Sequence, residues 1–156
     1  MKYRKLVCLL LALALLLALA PMAGAEGDLF FVAVNDTIPV TLTSLPYTSG
    51  GVVYVPYTAF DARPGGVVSA YNATAQTFVL FTKDSRLVFD LATGETSDEN
   101  QNTSTQTALF RNGLLYIPLI FCASHFGLKV SMLESQDGYP VLRFTTGSEV
   151  YDDSLF

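Results

Sequence analysis

One segment of this chain occurs twice. Gly51-Val-Val-Tyr-Val-Pro56, followed by Gly65-Gly-Val-Val68, returns as Gly113-Leu-Leu-Tyr-Ile-Pro118 and then Gly127-Leu-Lys-Val130. Gly51 and Gly113, Tyr54 and Tyr116, Pro56 and Pro118, and Gly65 and Gly127 all recur at one constant offset. Glycine and proline fix backbone geometry, so an ungapped echo of both marks one supersecondary unit used twice. These residues form a structural motif. None of them is a group that a reaction would need.

The first 25 residues read as a targeting segment. Lys2, Arg4 and Lys5 precede an unbroken apolar run from Leu6 to Ala20, within the length of a signal h-region and short for a membrane span. Pro21 ends the run, and Ala23-Gly24-Ala25 fits a cleavage site before Glu26. An uncleaved segment would instead act as an anchor. Cys8 lies at the beginning of the apolar run rather than after it, which argues against a lipoprotein.

Loss of Lys2, Arg4 and Lys5 leaves six basic against 14 acidic side chains, a net charge of −8. That acidity disfavours nucleic acid, anionic lipid and phosphate-rich polymers as partners, and no membrane association is expected after cleavage. Cys122 is then the one remaining cysteine, so no intrachain disulfide forms and packing must hold the fold.

Residues 29–34 and 37–42 read as strands around Asn35-Asp36, with Pro39 placing the second at an edge or bulge. After the turn cluster at 46–51 comes a strand at 52–55, then a weak helix from Pro56 that buries Ala59, Phe60 and Ala62 and stops at Pro64. Strands follow at 67–71, 77–82 and 86–91, the last with clean alternation. Residues 93–106 read TGETSDENQNTSTQ. With no large apolar side chain to offset the entropy of ordering, they predict a mobile connection between two halves. The second half repeats the grammar: strands at 108–110 and 114–117 around Asn112-Gly113, a helix over 118–126 closed by Gly127, and a hairpin of 129–133 and 140–145. Residues 147–156 form an acidic tail.

These elements predict an α+β fold of two β-rich repeats, each with one short helix packed on antiparallel sheet. The halves span about 29–92 and 107–146.

Candidate chemistry is sparse. Cys122 and His125 share one face of the predicted helix, but zinc needs three or four ligands and no second pair completes the set. A cysteine nucleophile would need an orienting group and an oxyanion hole. The reading is a core cysteine and a helix-end histidine. Asp61 with Arg63, and Asp84 with Arg86, sit at turns where solvated charges are expected. The glycine-rich, HExxH and Gly-x-Ser-x-Gly signatures are absent from the sequence. No catalytic residue, metal or cofactor is assigned.

The surplus residue is tyrosine. Tyr54 and Tyr116, in the repeated position, are expected to be structural; Tyr47, Tyr57 and Tyr71 are the candidates for ligand contact, since such rings stack on sugars or anchor a protein partner.

Val53-Tyr-Val-Pro56 with Gly66-Val-Val68, and Leu115-Tyr-Ile-Pro-Leu119 with Phe126-Gly-Leu-Lys-Val130, resemble the copper amine oxidase N-terminal-like domain of secreted bacterial proteins. Val32-Ala-Val-Asn-Asp-Thr-Ile-Pro-Val40 resembles that family's opening hairpin, and the likeness covers Leu29 to Thr145 within a module of residues 26–146. It implies a peripheral accessory module, not the oxidase domain that holds copper. The copper site would require a cluster of histidines, and this chain has one. The family's arginine two residues after the proline is replaced by Thr58 and Ile120, so its role does not carry over. The resulting expectation is a secreted, non-catalytic binding or interaction module at the bacterial cell surface or wall. Its expected partner is a cell-wall glycan or a surface protein. The alternatives are a carbohydrate-binding module using surface tyrosines and an enzyme with a Cys122/His125 site.

Overall fold

The computed structural model describes residues 31–35, 44–61 and 63–147. The targeting segment, the expected strand at 37–42 with Pro39, Ala62 and the tail from Ser148 lie outside the described residues. In chain order the strands are β1 (Phe31–Val34), β2 (Tyr47–Ser49), β3 (Val52–Pro56), β4 (Val68–Asn72), β5 (Thr77–Phe81) and β6 (Arg86–Asp90). Then come β7 (Glu95–Asp98), β8 (Thr103–Ser104), β9 (Leu109–Arg111), β10 (Leu114–Pro118), helix α1 (Leu119–His125), β11 (Lys129–Glu134) and β12 (Pro140–Thr145).

The repeated segments pair with each other. β3 and β10 run antiparallel at the centre of a four-stranded sheet ordered β2-β3-β10-β9. Their register sets Tyr54 against Pro118, Val55 against Ile117 and Pro56 against Tyr116. Exchanging the two copies leaves this pairing unchanged, so an internal twofold passes through the Val55–Ile117 pair. The flanking hairpins obey the same symmetry. Gly50 and Gly51 have φ of 57° and 79°, and Asn112 and Gly113 have φ of 53° and 79°. Positive φ at both central residues is the type I′ turn, whose twist matches that of the paired strands. Glycine at the second position and glycine or asparagine at the first are the residues that tolerate it.

Each copy then leaves the central sheet for an outer one. The first builds the five-stranded sheet β4-β5-β6-β7-β8, and the second contributes β11 and β12 to a three-stranded sheet completed by β1. β1 comes from the first half but pairs in parallel with β12, from Phe31–Val141 to Val34–Phe144. One continuous cluster of buried side chains, including Val34, Val55, Phe60, Phe78, Ile117, Leu119 and Phe144, links all three sheets and α1. Fully burying an apolar side chain of this size contributes about 1.5–3 kcal/mol, so the halves are held together by their shared core.

The α+β expectation is overturned. Strands make up 49% of the described residues, in three sheets, with a single helix of seven residues. Among its described residues the first repeat has no α-helix: Tyr57–Phe60 is one 3-10 turn, with Ala59 and Phe60 buried as expected. Pro64 is the physical reason. It lacks an N–H for a further helical bond and restricts the residue before it, and Arg63 takes φ 54° instead of a helical value. The second copy has Ser124 and Phe126 at the corresponding stretch, so its helix completes two turns. It ends in a Schellman motif, with Gly127 N–H donating to Ser124 O at 3.2 Å and Leu128 N–H to Ala123 O at 2.8 Å.

The mobile connection is a second correction. Residues 95–98 and 103–104 form β7 and β8, a hairpin added to the edge of β6. Backbone pairing supplies the order that side chains were expected to lack. Thr96 is buried and its hydroxyl donates to Gln106 O at 2.5 Å. The Asp98 carboxylate accepts from the backbone N–H of Asn100 and Asn102 at 2.8 and 2.9 Å, closing the turn.

Candidate functional site

Tyr57 and Tyr71 come together, and Tyr47 lies elsewhere. Tyr71 on β4 stands opposite Phe78 on β5, and Tyr57 meets the same Phe78 ring at 5.4 Å with planes at 64°. Phe78 is fully buried and forms a floor. Across from Tyr71, Phe110 of β9 approaches edge to face, with centroids 6.3 Å apart and planes at 74°. Together with the inner side of the β9–β10 hairpin at Gly113 and Leu114, these rings line a cleft of about 200 Å³. Tyr71 and Phe110 are 53% and 57% exposed, although each is a large ring placed beside the core.

Phe110 was not among the residues singled out in the sequence. It sits in the short apolar run Ala108-Leu-Phe, which reads as an ordinary strand; only pairing with β10 puts its ring beside β4. The signal available was its place in an Asn-Gly hairpin, which locates an exposed edge but not the neighbour across it.

Tyr47 projects from the opposite face of the central sheet. It stacks on Tyr54 at 5.4 Å with planes 14° apart, meets Tyr116 edge to face at 5.0 Å, and carries the Arg111 guanidinium 4.3 Å above its ring. The Tyr116 hydroxyl donates to Leu45 O at 3.3 Å. Burial and the neighbouring Tyr54 push the Tyr47 phenol up from its ordinary pKa of 10.0, and burial does the same to Tyr54. This cluster is occupied by its own rings. It fastens the segment at 45–47 to the repeated strands.

The internal twofold gives the aromatic cleft a counterpart. Gly51, Val52 and Val53, equivalent to Gly113, Leu114 and Leu115, line a second depression with Ile120, Phe121 and Ser124 of α1 and with Gln106. There the opposing wall is helix, and its ring, Phe121, is half-buried against the core rather than exposed. The repeats share the hairpins and differ in what is set against them.

Cys122 and His125 do not form a pair. The Cys122 side chain is fully buried in the core, and burial pushes its thiol far above the ordinary range, so it is not a nucleophilic thiolate. His125 turns instead toward the first half. Its Nε2 lies 2.8 Å from Ser85 Oγ and 3.2 Å from Glu99 Oε2. The Ser85 hydroxyl is also 3.3 Å from that carboxylate oxygen, which accepts from Arg86 N–H at 3.2 Å as well. Serine, histidine and glutamate in contact suggest a relay, but the geometry is wrong for one. A relay places the nucleophile at one ring nitrogen and the carboxylate at the other. Here both oxygens meet Nε2. The cluster ties the end of α1 to the β5–β6 and β7–β8 turns.

The remaining charged candidates are solvated. Asp61 and Arg63 are exposed, and Asp84 pairs with its neighbour Lys83 at 3.5 Å, both largely in solvent. Among the described residues no three His, Cys, Asp or Glu side chains gather as metal ligands. No described helix is long and apolar enough to cross a membrane.

No family model, curated protein or solved structure matches the chain.

Proposed function

We infer that this chain is a secreted, non-catalytic binding module of the cell surface or wall, with the Tyr57–Tyr71–Phe110 cleft as its contact surface. The observation that carries the reading is the pair Tyr71 and Phe110. Two rings more than half exposed are held in fixed geometry by strands from different halves of the chain. Exposed aromatic surface costs solubility and is informative where it is clustered, because Tyr, Trp and Phe dominate recognition surfaces. The resemblance to the copper amine oxidase N-terminal-like domain implies the same accessory role. The Cys122/His125 enzyme alternative has little support, since one group is buried in the core and the other is engaged by Ser85 and Glu99.

Cosedimentation with isolated bacterial cell walls tests the reading. The wild-type protein is expected to pellet with walls at high salt, because the contact is apolar, and Phe110→Ala and Tyr71→Ala to remain in the supernatant. Equal pelleting of wild type and both variants would remove the cleft from the account, and failure of the wild-type protein to pellet would remove the wall.

A further inference from the structure

We propose that the aromatic cleft receives a single uncharged sugar ring of a neutral glycan. This rests on the cleft being the contact surface. Four features of the site select that occupant. The lining residues carry no charge, and the chain has 14 acidic against nine basic residues, so an anionic ligand gains nothing in the cleft and is repelled on approach. The volume of about 200 Å³ is below the roughly 300–1,000 Å³ of pockets that enclose drug-sized ligands, which limits the occupant to about one ring. Tyr71 and Phe110 stand at 74°, a corner rather than a platform. A polymer cannot lie flat on both rings, whereas one pyranose can stack its C–H face on one and abut the edge of the other. Finally, two of the lining rings, Tyr57 and Tyr71, are phenols, which add donors and acceptors suited to a ligand that is apolar on one face and hydroxylated at its rim. A peptide would need a groove along several residues, and this cleft admits one side chain.

The symmetry-related depression at Gly51 supplies an internal control. It has the same hairpin backbone, but its one ring, Phe121, is half-buried and packed against the core, so it should not bind the same ligand. Its exposed Ile120 can be altered without touching the aromatic cleft.

The test is an NMR titration of the isotopically labelled protein with neutral hexasaccharides of glucose, xylose and N-acetylglucosamine, with a sulfated hexasaccharide, and with an aromatic-rich peptide pool. At least one neutral hexasaccharide is expected to shift the ring signals of Tyr57, Tyr71 and Phe110 saturably. Phe110→Ala should weaken that binding by about tenfold or more, as expected for a central aromatic contact, and Ile120→Ala should leave it unchanged. Cleft shifts produced only by the sulfated sugar or the peptides would overturn the sugar assignment while leaving the binding-module reading intact. Shifts confined to residues outside the cleft would overturn the assignment too. Equal pelleting of wild type, Phe110→Ala and Tyr71→Ala in the cosedimentation assay is the separate result that removes the underlying reading.

Discussion

Val55 and Ile117 stand opposite each other in the β3–β10 ladder, both fully buried, with the internal twofold passing between them. The residues on either side exchange partners across this point, Tyr54 with Pro118 and Tyr116 with Pro56. The duplicated segment is therefore the seam along which its two copies close.

Weakening the seam should destabilise both halves at once. Ile117→Ala is expected to cost about 2–5 kcal/mol, the range for truncating a buried isoleucine. Val55→Ala alters the other side of the same contact, so the double variant should be non-additive by about 0.5–3 kcal/mol. Urea denaturation followed by tyrosine fluorescence and by far-UV circular dichroism measures both quantities. Separate transitions for the two halves, or strict additivity, would contradict a shared core.

The hairpin turns make a backbone prediction. A Cβ at Gly113 would meet nothing within 4 Å, so the cost of Gly113→Ala comes from its φ of 79° alone. It should exceed about 1 kcal/mol. Asn112→Gly, at a position that glycine accepts equally well, should be nearly neutral. The same contrast should hold between Gly51→Ala and Gly50→Asn, and thermal melting of the four variants checks it.

Cys122 should behave as a core residue. Iodoacetamide is expected to leave it unlabelled in the native protein and to label it fully in denaturant, as mass spectrometry would show. Cys122→Ser, which places a hydroxyl among apolar side chains, should destabilise by about 1–3 kcal/mol. Rapid native labelling would contradict the burial.

The β7–β8 turn predicts a pH dependence. Asn102 holds the Asp98 carboxyl below its ordinary value of 3.8, and backbone N–H groups, its own and that of Arg86, hold Glu99 below 4.5. Turn N–H groups of Thr93 and Ala92 act likewise on Asp90. Each is ionised more readily folded than unfolded. Their stabilisation is thus complete above the unfolded values and is lost as pH falls through the lower folded ones. The melting temperature should fall between about pH 5 and pH 3, and Asp98→Asn and Glu99→Gln should flatten that fall. A profile unchanged in both variants would sink the assignment.

What the sequence made legible was local. The Asn112-Gly113 turn, the strand at 140–145 and the end of α1 at Gly127 follow from residues adjacent in the chain. The pairing of β3 with β10, and of β1 with β12, joins segments far apart, and neither Tyr54 nor Phe31 carries a mark of its partner. The first helix failed because Pro64 ended it after one turn, an effect larger than the apolar spacing of Ala59 and Phe60. The polar run at 93–106 reads as mobile because its strand order rests on backbone bonds and on Thr96 and Asp98, not on apolar burial. Of the cleft, Tyr57 and Tyr71 stand out in the sequence as tyrosines near strand ends and turns. Phe110 takes on meaning only in the fold, where its ring stands edge to face with Tyr71 of β4.

Two hairpins of one design have diverged, and under the proposed function only the one facing Tyr71 and Phe110 meets a ligand. Gly51 and Gly113 report on the two sides from equivalent positions. The decisive measurement is the amide chemical shifts of both glycines, followed as soluble cell-wall fragments are added. A saturable shift at Gly113 with Gly51 unmoved is the predicted result; equal shifts at both, or a shift at Gly51 alone, would contradict it.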